Sequence, residues 1–165
     1  MINFSEVYNE LYISFEKMIN LSKERIKEIT GDLDCGMKCY YNKKTKEITT
    51  IIDFDSHYGA DEELWEDVIK ELEENWMNYI EIERMDSRES FLVMEDFAYS
   101  VDSASLQEKL INALNRSKPF SNFKWIIDNS GDYRQKWFDF KNQKYIEWVE
   151  EKISELNSME EFENK

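Results

Sequence analysis

The sequence predicts an α+β fold: an N-terminal helix, a small antiparallel sheet of about three strands with a helix on one face, and a C-terminal helical half of about four helices. Three observations predict it. Apolar residues recur at helical steps of three and four over most of the chain, but alternate in three short segments between residues 36 and 85. One proline and four glycines leave little loop material, so the elements must be long and mainly helical. Strand-like segments come before most of the helix-like ones, which favours segregated packing over a doubly wound sheet. At 165 residues and 41% hydrophobic, the chain can fill a core without metal or disulfide staples. A single domain is expected over residues 1–156, followed by a polar tail at 157–165.

Residues 4–29 place Phe4, Val7, Tyr8, Leu11, Tyr12, Phe15, Ile19, Ile26 and Ile29 on one helical stripe. Asn3 with Glu6 has the spacing of a capping box, and Thr30-Gly31 can close that helix. Gly36–Asn42 alternates, with Met37, Cys39 and Tyr41 on one side. Glu47–Phe54 does the same with Ile48, Thr50, Ile52 and Phe54, and Lys43-Lys44-Thr45-Lys46 joins the two as a hairpin. Helical spacing returns over 61–75 through Leu64, Trp65, Val68, Ile69 and Leu72, continuing to Trp76. Tyr79–Met85, with Ile80 and Ile82 on one face, is the third strand. Capping-box spacings at Asp86/Glu89, Ser105/Glu108 and Asp132/Gln135, and Pro119 in a first turn, place helices near 87–98, 104–115, 119–129 and 133–156.

Charge is unevenly placed along a chain of net −15. Residues 1–52 are neutral, 53–103 carry 17 acids against three bases, and 104–148 carry eight bases against five acids. The overall negative field repels nucleic acid and anionic lipid, and suits a protein whose partner is basic. No charged-then-apolar leader is present, and no apolar run approaches the roughly 18 residues of a membrane span. The expected location is the cytoplasm, with the thiols of Cys35 and Cys39 reduced and structural.

Several chemistries fail on spacing. Asp53-Phe54-Asp55-Ser56-His57 opens like a calcium loop, but Tyr58 stands where the turn glycine belongs and Leu64 where the bidentate glutamate belongs. Cys35-Gly36-Met37-Lys38-Cys39 has neither zinc-ribbon nor thioredoxin spacing. His57 is the sole histidine, so Ser-His or Cys-His catalysis would have to pass through it. No phosphate-cradling glycine motif exists among four glycines. With 36 carboxylates, no acid–base pair can be singled out by type. No catalytic, cofactor-binding or metal-binding residue is therefore assigned, and no cofactor is expected.

One block stands out against the acidic background. Nine of the 24 aromatics lie between Phe120 and Trp148, interleaved with bases. Phe138, Tyr145, Val149, Ile153 and Leu156 form a stripe at helical spacing, and Phe120, Phe123, Ile126 and Ile127 another; both read as core. If the block is a docking site instead, Arg116, Lys118, Phe120, Lys124, Arg134 and Lys136 are its partner-binding candidates.

The same segments carry a family resemblance. Tyr79-Ile80-Glu81-Ile82, Met94-Glu95-Asp96-Phe97, the helix with Leu106, Leu110, Ala113 and Leu114, Pro119-Phe120-Ser121-Asn122-Phe123-Lys124, and Trp137-Phe138 with Tyr145 and Glu147-Trp148 together resemble an uncharacterised bacterial protein family of unknown function. The resemblance covers about two thirds of the chain and is best over residues 79–150. This sequence departs from the family's pattern at Lys46, where glycine is common, and in its longer leading segment. The resemblance implies no activity and no catalytic residue. The expected function is a non-catalytic interaction or regulatory domain with a protein partner. The alternatives are a nucleic-acid-associated factor using the basic patch, an acidic inhibitor or immunity-type protein for a basic partner, and a carboxylate/metal-dependent enzyme.

Overall fold

A computed structural model describes residues 18–163 apart from Ser56 and Tyr58. The helix expected over residues 4–29 has its first part, up to residue 17 and with its Asn3/Glu6 box, outside the described residues. The chain forms two compact units. One takes the sequence up to Arg84 together with Val149 onward, and the other is Met85–Trp148.

In the first unit, helix α1 (Lys23–Asp34) starts where the Ser22 side chain accepts from the Arg25 amide. Residues 18–22 before it are not helical, so the stripe read as continuous is interrupted there. Helix α1 also runs through Thr30-Gly31, the expected stop, for one more turn. An interior glycine weakens a helix by about 1 kcal/mol but does not end it. The terminator is Gly36, at φ +82, just past the Cys35 cap and donating to the Leu33 carbonyl. The buried stripe is Ile26, Ile29, Thr30 and Leu33.

Strands β1 (Met37–Asn42), β2 (Ile48–Ile52) and β3 (Tyr79–Ile82) form an antiparallel sheet in the order β2-β1-β3. The register pairs Cys39 with Thr50 on one side and Ile82 on the other. Period-two alternation thus gathers Cys39, Tyr41, Ile80 and Ile82 on one face, as the sequence predicts. Helix α1 lies on that face: Thr50 Oγ1 donates to Asp32 at 3.1 Å, and Arg25 reaches the Ile48 carbonyl.

The hairpin turn explains the departure at Lys46. Asn42 Oδ1 accepts from the Lys44 and Thr45 amides, and the Asn42 carbonyl accepts from Lys46 N at 2.8 Å. Lys46 is then forced to φ +64, the left-handed position that a hairpin bulge usually gives to glycine. Lys46→Gly removes that strain while loosening the unfolded chain. The expected net is a stabilisation of up to about 1 kcal/mol, read as a small rise in urea midpoint; a destabilised variant would show that the lysine side chain, not the backbone, fixes the turn.

After β2, a short 3-10 turn (Glu62–Trp65) capped by Asp61 leads into helix α2 (Glu66–Glu74). A further 3-10 turn, Trp76–Asn78, enters β3. The third strand stops at Ile82, three residues short of the expected Met85.

The second unit is helical. Helix α3 (Ser87–Ser100) opens on the predicted Asp86/Glu89 capping box, with both halves formed. Helix α4 (Ala104–Leu114) is capped by Ser103 rather than by Ser105, since the Ser103 hydroxyl accepts from Leu106 N. Helix α5 (Pro119–Asp128) has its proline in the first turn, as predicted. Helix α6 (Tyr133–Glu163) gives its first half to this unit and its second half to the other. Gln135 bonds Asp139 instead of closing a box with Asp132. The helix continues past the expected end at 156, where Asn157 exchanges two hydrogen bonds with the Ile19 backbone. The core of this unit gathers Met94, Phe97, Ala98, Val101, Leu110, Leu114, Phe123 and Ile127. No described helix is long and apolar enough to cross a membrane.

Candidate functional site

The six predicted partner-binding residues all fall in the second unit, on and around α5. Between α4 and α5 the chain reverses over Asn115–Lys118, with Lys118 in the left-handed region at φ +58. Asn122 holds the reversal by donating its side-chain amide to the Ser117 carbonyl at 2.9 Å. Helix α5 buries Phe123 and Ile127. At 100° per residue, Phe120, Ser121, Lys124, Trp125 and Asp128 then share an arc of about 140° on its outer face, and all five are exposed.

Phe120 is thus a correction to the expected core stripe: it lies at the edge of the buried side, in the first turn of the helix, and is 44% exposed. Phe138 is corrected likewise, while Tyr145, Val149 and Ile153 of its stripe are buried. Phe138 instead carries the Arg134 guanidinium 4.8 Å above its ring, and Arg134 Nε pairs with Asp128 Oδ1 at 3.2 Å. Lys136 lies 4.5 Å from the Tyr133 ring centre, and the Tyr133 hydroxyl donates to Asp102. That bond, then the Lys136 charge, hold the Asp102 carboxyl below the usual carboxylate range; the same bond raises the Tyr133 hydroxyl. Two of the five predicted bases are therefore engaged by local partners. Arg116, Lys118 and Lys124 are exposed and enter no salt bridge among the described residues.

Trp125, 70% exposed, belongs to this surface and sequence reasoning passed over it. The signal was present. With Phe123, Ile126 and Ile127 marking the buried side, residue 125 falls across the axis from 127.

The first unit brings together a second polar group. Asp53, at the end of β2, is buried, with Oδ2 at 3.2 Å from Arg84 and Oδ1 at 3.3 Å from Lys38. Its carbonyl accepts from the His57 amide at 3.0 Å and from His57 Nδ1 at 3.1 Å, so Nδ1 carries the proton. The His57 ring sits over Gly36, where a Cβ would come within 2.9 Å of Cε1. Beside Asp53 is a half-open pocket of about 230 Å³, with Lys38, Arg84, Asp55 and Glu81 around a floor of Leu33 and Ile82. It is smaller than the usual small-molecule site.

The Asp53 carboxylate braces β1 to the segment that follows β3. The two cations at Asp53 repel a divalent ion, and His57 Nδ1 is committed to a carbonyl. Among the described residues, no three histidine, cysteine, aspartate or glutamate side chains are grouped to hold a metal. Cys39 is buried with Sγ 3.9 Å from Thr50 Oγ1, and burial pushes its thiol to about 11, so it is a poor nucleophile. Cys35 is exposed, and both thiols are free.

Comparison with known proteins gives one broad and one narrower match. A family model described as Uncharacterised protein family (UPF0158) matches residues 16–164. The UPF0158 protein PA5073 of Pseudomonas aeruginosa is similar at 29% identity over 68 residues, covering 41% of this chain and 44% of that protein. The match thus spans less than half of the length of that relative. No solved structure matches the chain.

Proposed function

Since the chain belongs to the uncharacterised protein family UPF0158, a membership that brings no activity with it, we propose from its own surface that it is a non-catalytic interaction protein. Its partner is a protein bound on the outer face of α5. The observation that carries this reading is the exposed pair Phe120 and Trp125 flanking Lys124 on one helix arc. Large aromatics are enriched at protein interfaces, and tryptophan is among the residues that carry most of the binding energy there.

A nucleic-acid role is the second reading, since aromatics and bases can stack and pair with a single strand. It is the less supported one. Arg134 and Lys136 spend their charge on Asp128, Phe138 and the Tyr133–Asp102 pair, and the chain's net charge of −15 opposes a polyanion.

Two variants test the reading. A partner co-purified from native cells with the wild type is expected to be lost with Trp125→Ala and with Arg116→Glu/Lys118→Glu/Lys124→Glu, while the circular dichroism of both variants stays unchanged. A labelled single-stranded oligonucleotide is expected to bind weakly or not at all. Oligonucleotide binding that weakens between 50 and 200 mM salt with a log–log slope of several, as counterion release gives, would replace the protein reading with the nucleic-acid one.

A further inference from the structure

The stretch from Glu62 to Asn78 has an amphipathic sequence and no buried residue at all. Val68, Ile69 and Leu72 fall on one side of α2 at 100° per residue, with Trp65 and Trp76 in the 3-10 turns before and after it. The first four are half-buried, but Trp76 and the adjoining Met77 are each 69% exposed, and Leu64 at the other end is 80% exposed. Trp76 and Met77, neighbours in sequence that are both left open, mark a contact surface. Around them stand seven carboxylates, from Glu62, Glu63, Glu66, Asp67, Glu71, Glu73 and Glu74, against the single base Lys70.

That charge is unfavourable to the helix itself. Glu62/Glu66, Glu63/Asp67 and Asp67/Glu71 are like-charged pairs four residues apart, which repel. Glu71, Glu73 and Glu74 crowd the C-terminal turn, where the helix dipole is already negative and no base is present in the last turn. Lys70 offsets little, reaching only Glu74 at 3.9 Å. Cations brought from outside would relieve both the pairs and the dipole.

We propose that Glu62–Met77 is a docking surface for a cationic amphipathic helix of a partner protein: its apolar side on Leu64, Trp76 and Met77, its lysines or arginines on the carboxylates. The charge selects this occupant. A second copy of the chain would bring the same seven carboxylates, and an anionic membrane would be repelled. The proposal is independent of the α5 reading, which concerns another unit and a surface of opposite charge.

The test uses the full chain and two 18-residue fluorescent helical peptides, one of leucine and lysine and one of leucine and glutamate, followed by anisotropy. The lysine peptide is expected to bind, with affinity falling as salt rises, and the glutamate peptide not to bind. Trp76→Ser/Met77→Ser alters only exposed side chains and is expected to weaken lysine-peptide binding at least tenfold. Glu66→Lys/Glu73→Lys is expected to do the same, whereas Glu150→Lys/Glu151→Lys, with the same change in net charge elsewhere, leaves it unaltered. Equal loss in both charge-reversal variants would reduce the binding to general attraction between opposite charges and overturn the proposal. So would binding indifferent to Trp76→Ser/Met77→Ser, or sedimentation showing a dimer that Trp76→Ser dissolves.

Discussion

Phe123→Ala is expected to destabilise the Met85–Trp148 unit by about 3–5 kcal/mol, the range for truncating a buried aromatic. The ring is fully buried and packs edge-on to Trp137, with centroids 4.9 Å apart, and to Phe97 at 6.4 Å. Phe97 in turn meets Trp137 at 5.2 Å and Phe140 at 5.4 Å, so four rings from three helices share one cluster. Such geometry adds about 0.5–1.5 kcal/mol per pair beyond area burial. Rings held edge-on from α3, α5 and α6 cannot all move inward, so the cavity would close only in part. The neighbouring Trp125→Ala, which removes a larger but exposed ring from the same helix, should change stability by no more than about 0.5 kcal/mol. Urea unfolding followed by far-UV circular dichroism compares the two. Similar losses for both variants would show that the ring cluster does not organise this unit. If Phe123→Ala does not fold, Phe123→Leu, with a smaller cavity, should retain the order.

The contrast between Phe123 and Trp125 also shows what a sequence can and cannot convey about this fold. Elements set by local chemistry were legible. Alternation placed Met37, Cys39 and Tyr41 on one face, and the register with Thr50 and Ile82 bears it out. The Asp86/Glu89 box and Pro119 marked helix starts because capping involves residues only a few positions apart. Boundaries set by longer-range contacts were not. Gly31 carries the signature of a stop, yet the helix ends where Gly36 can take a positive φ and let the chain enter β1. Helix α6 passes its expected end because Asn157 finds the backbone of Ile19, 138 residues away. The same limit applied to the sites. The bases around α5 were visible as a composition, but Arg134 and Lys136 looked free until their partners Asp128 and Tyr133 were placed beside them. The exposure of α2 was hidden altogether. Its stripe reads as core, and only the packing reveals that the stripe is no more than half-buried and that Trp76 at its end is open.

Asp53→Asn is expected to destabilise the first unit by about 2 kcal/mol, a larger effect than any exposed ion pair in this chain would give. The residue sits where three segments meet: Lys38 in β1, Asp53 after β2 and Arg84 after β3. Strand register brings them together, since Lys38 pairs with Ile51 and Cys39 with Ile82, two residues before Asp53 and Arg84 respectively. The carboxylate is buried, whereas the side chains of Lys38 and Arg84 are 36% and 42% exposed. Breaking a fully buried pair costs about 3–5 kcal/mol because a charge is stranded. Here both cations can turn to water, which lowers the expected cost. What remains is their mutual repulsion across a neutral amide and the loss of the charge joining the three segments. Lys38 carries a pH signature of this contact. Burial lowers its pKa, but the hydrogen bond and charge of Asp53 outweigh burial and raise it. A raised lysine contributes stability that is complete at neutral pH and is lost as pH climbs through and beyond the ordinary lysine range. The wild type should therefore lose its advantage over Asp53→Asn at strongly alkaline pH, with Lys38→Met showing the same convergence. Denaturation curves at neutral and alkaline pH measure it. An Asp53→Asn variant as stable as the wild type at neutral pH would mean that the sheet closes without the brace, leaving Asp53 an ordinary strand-end residue.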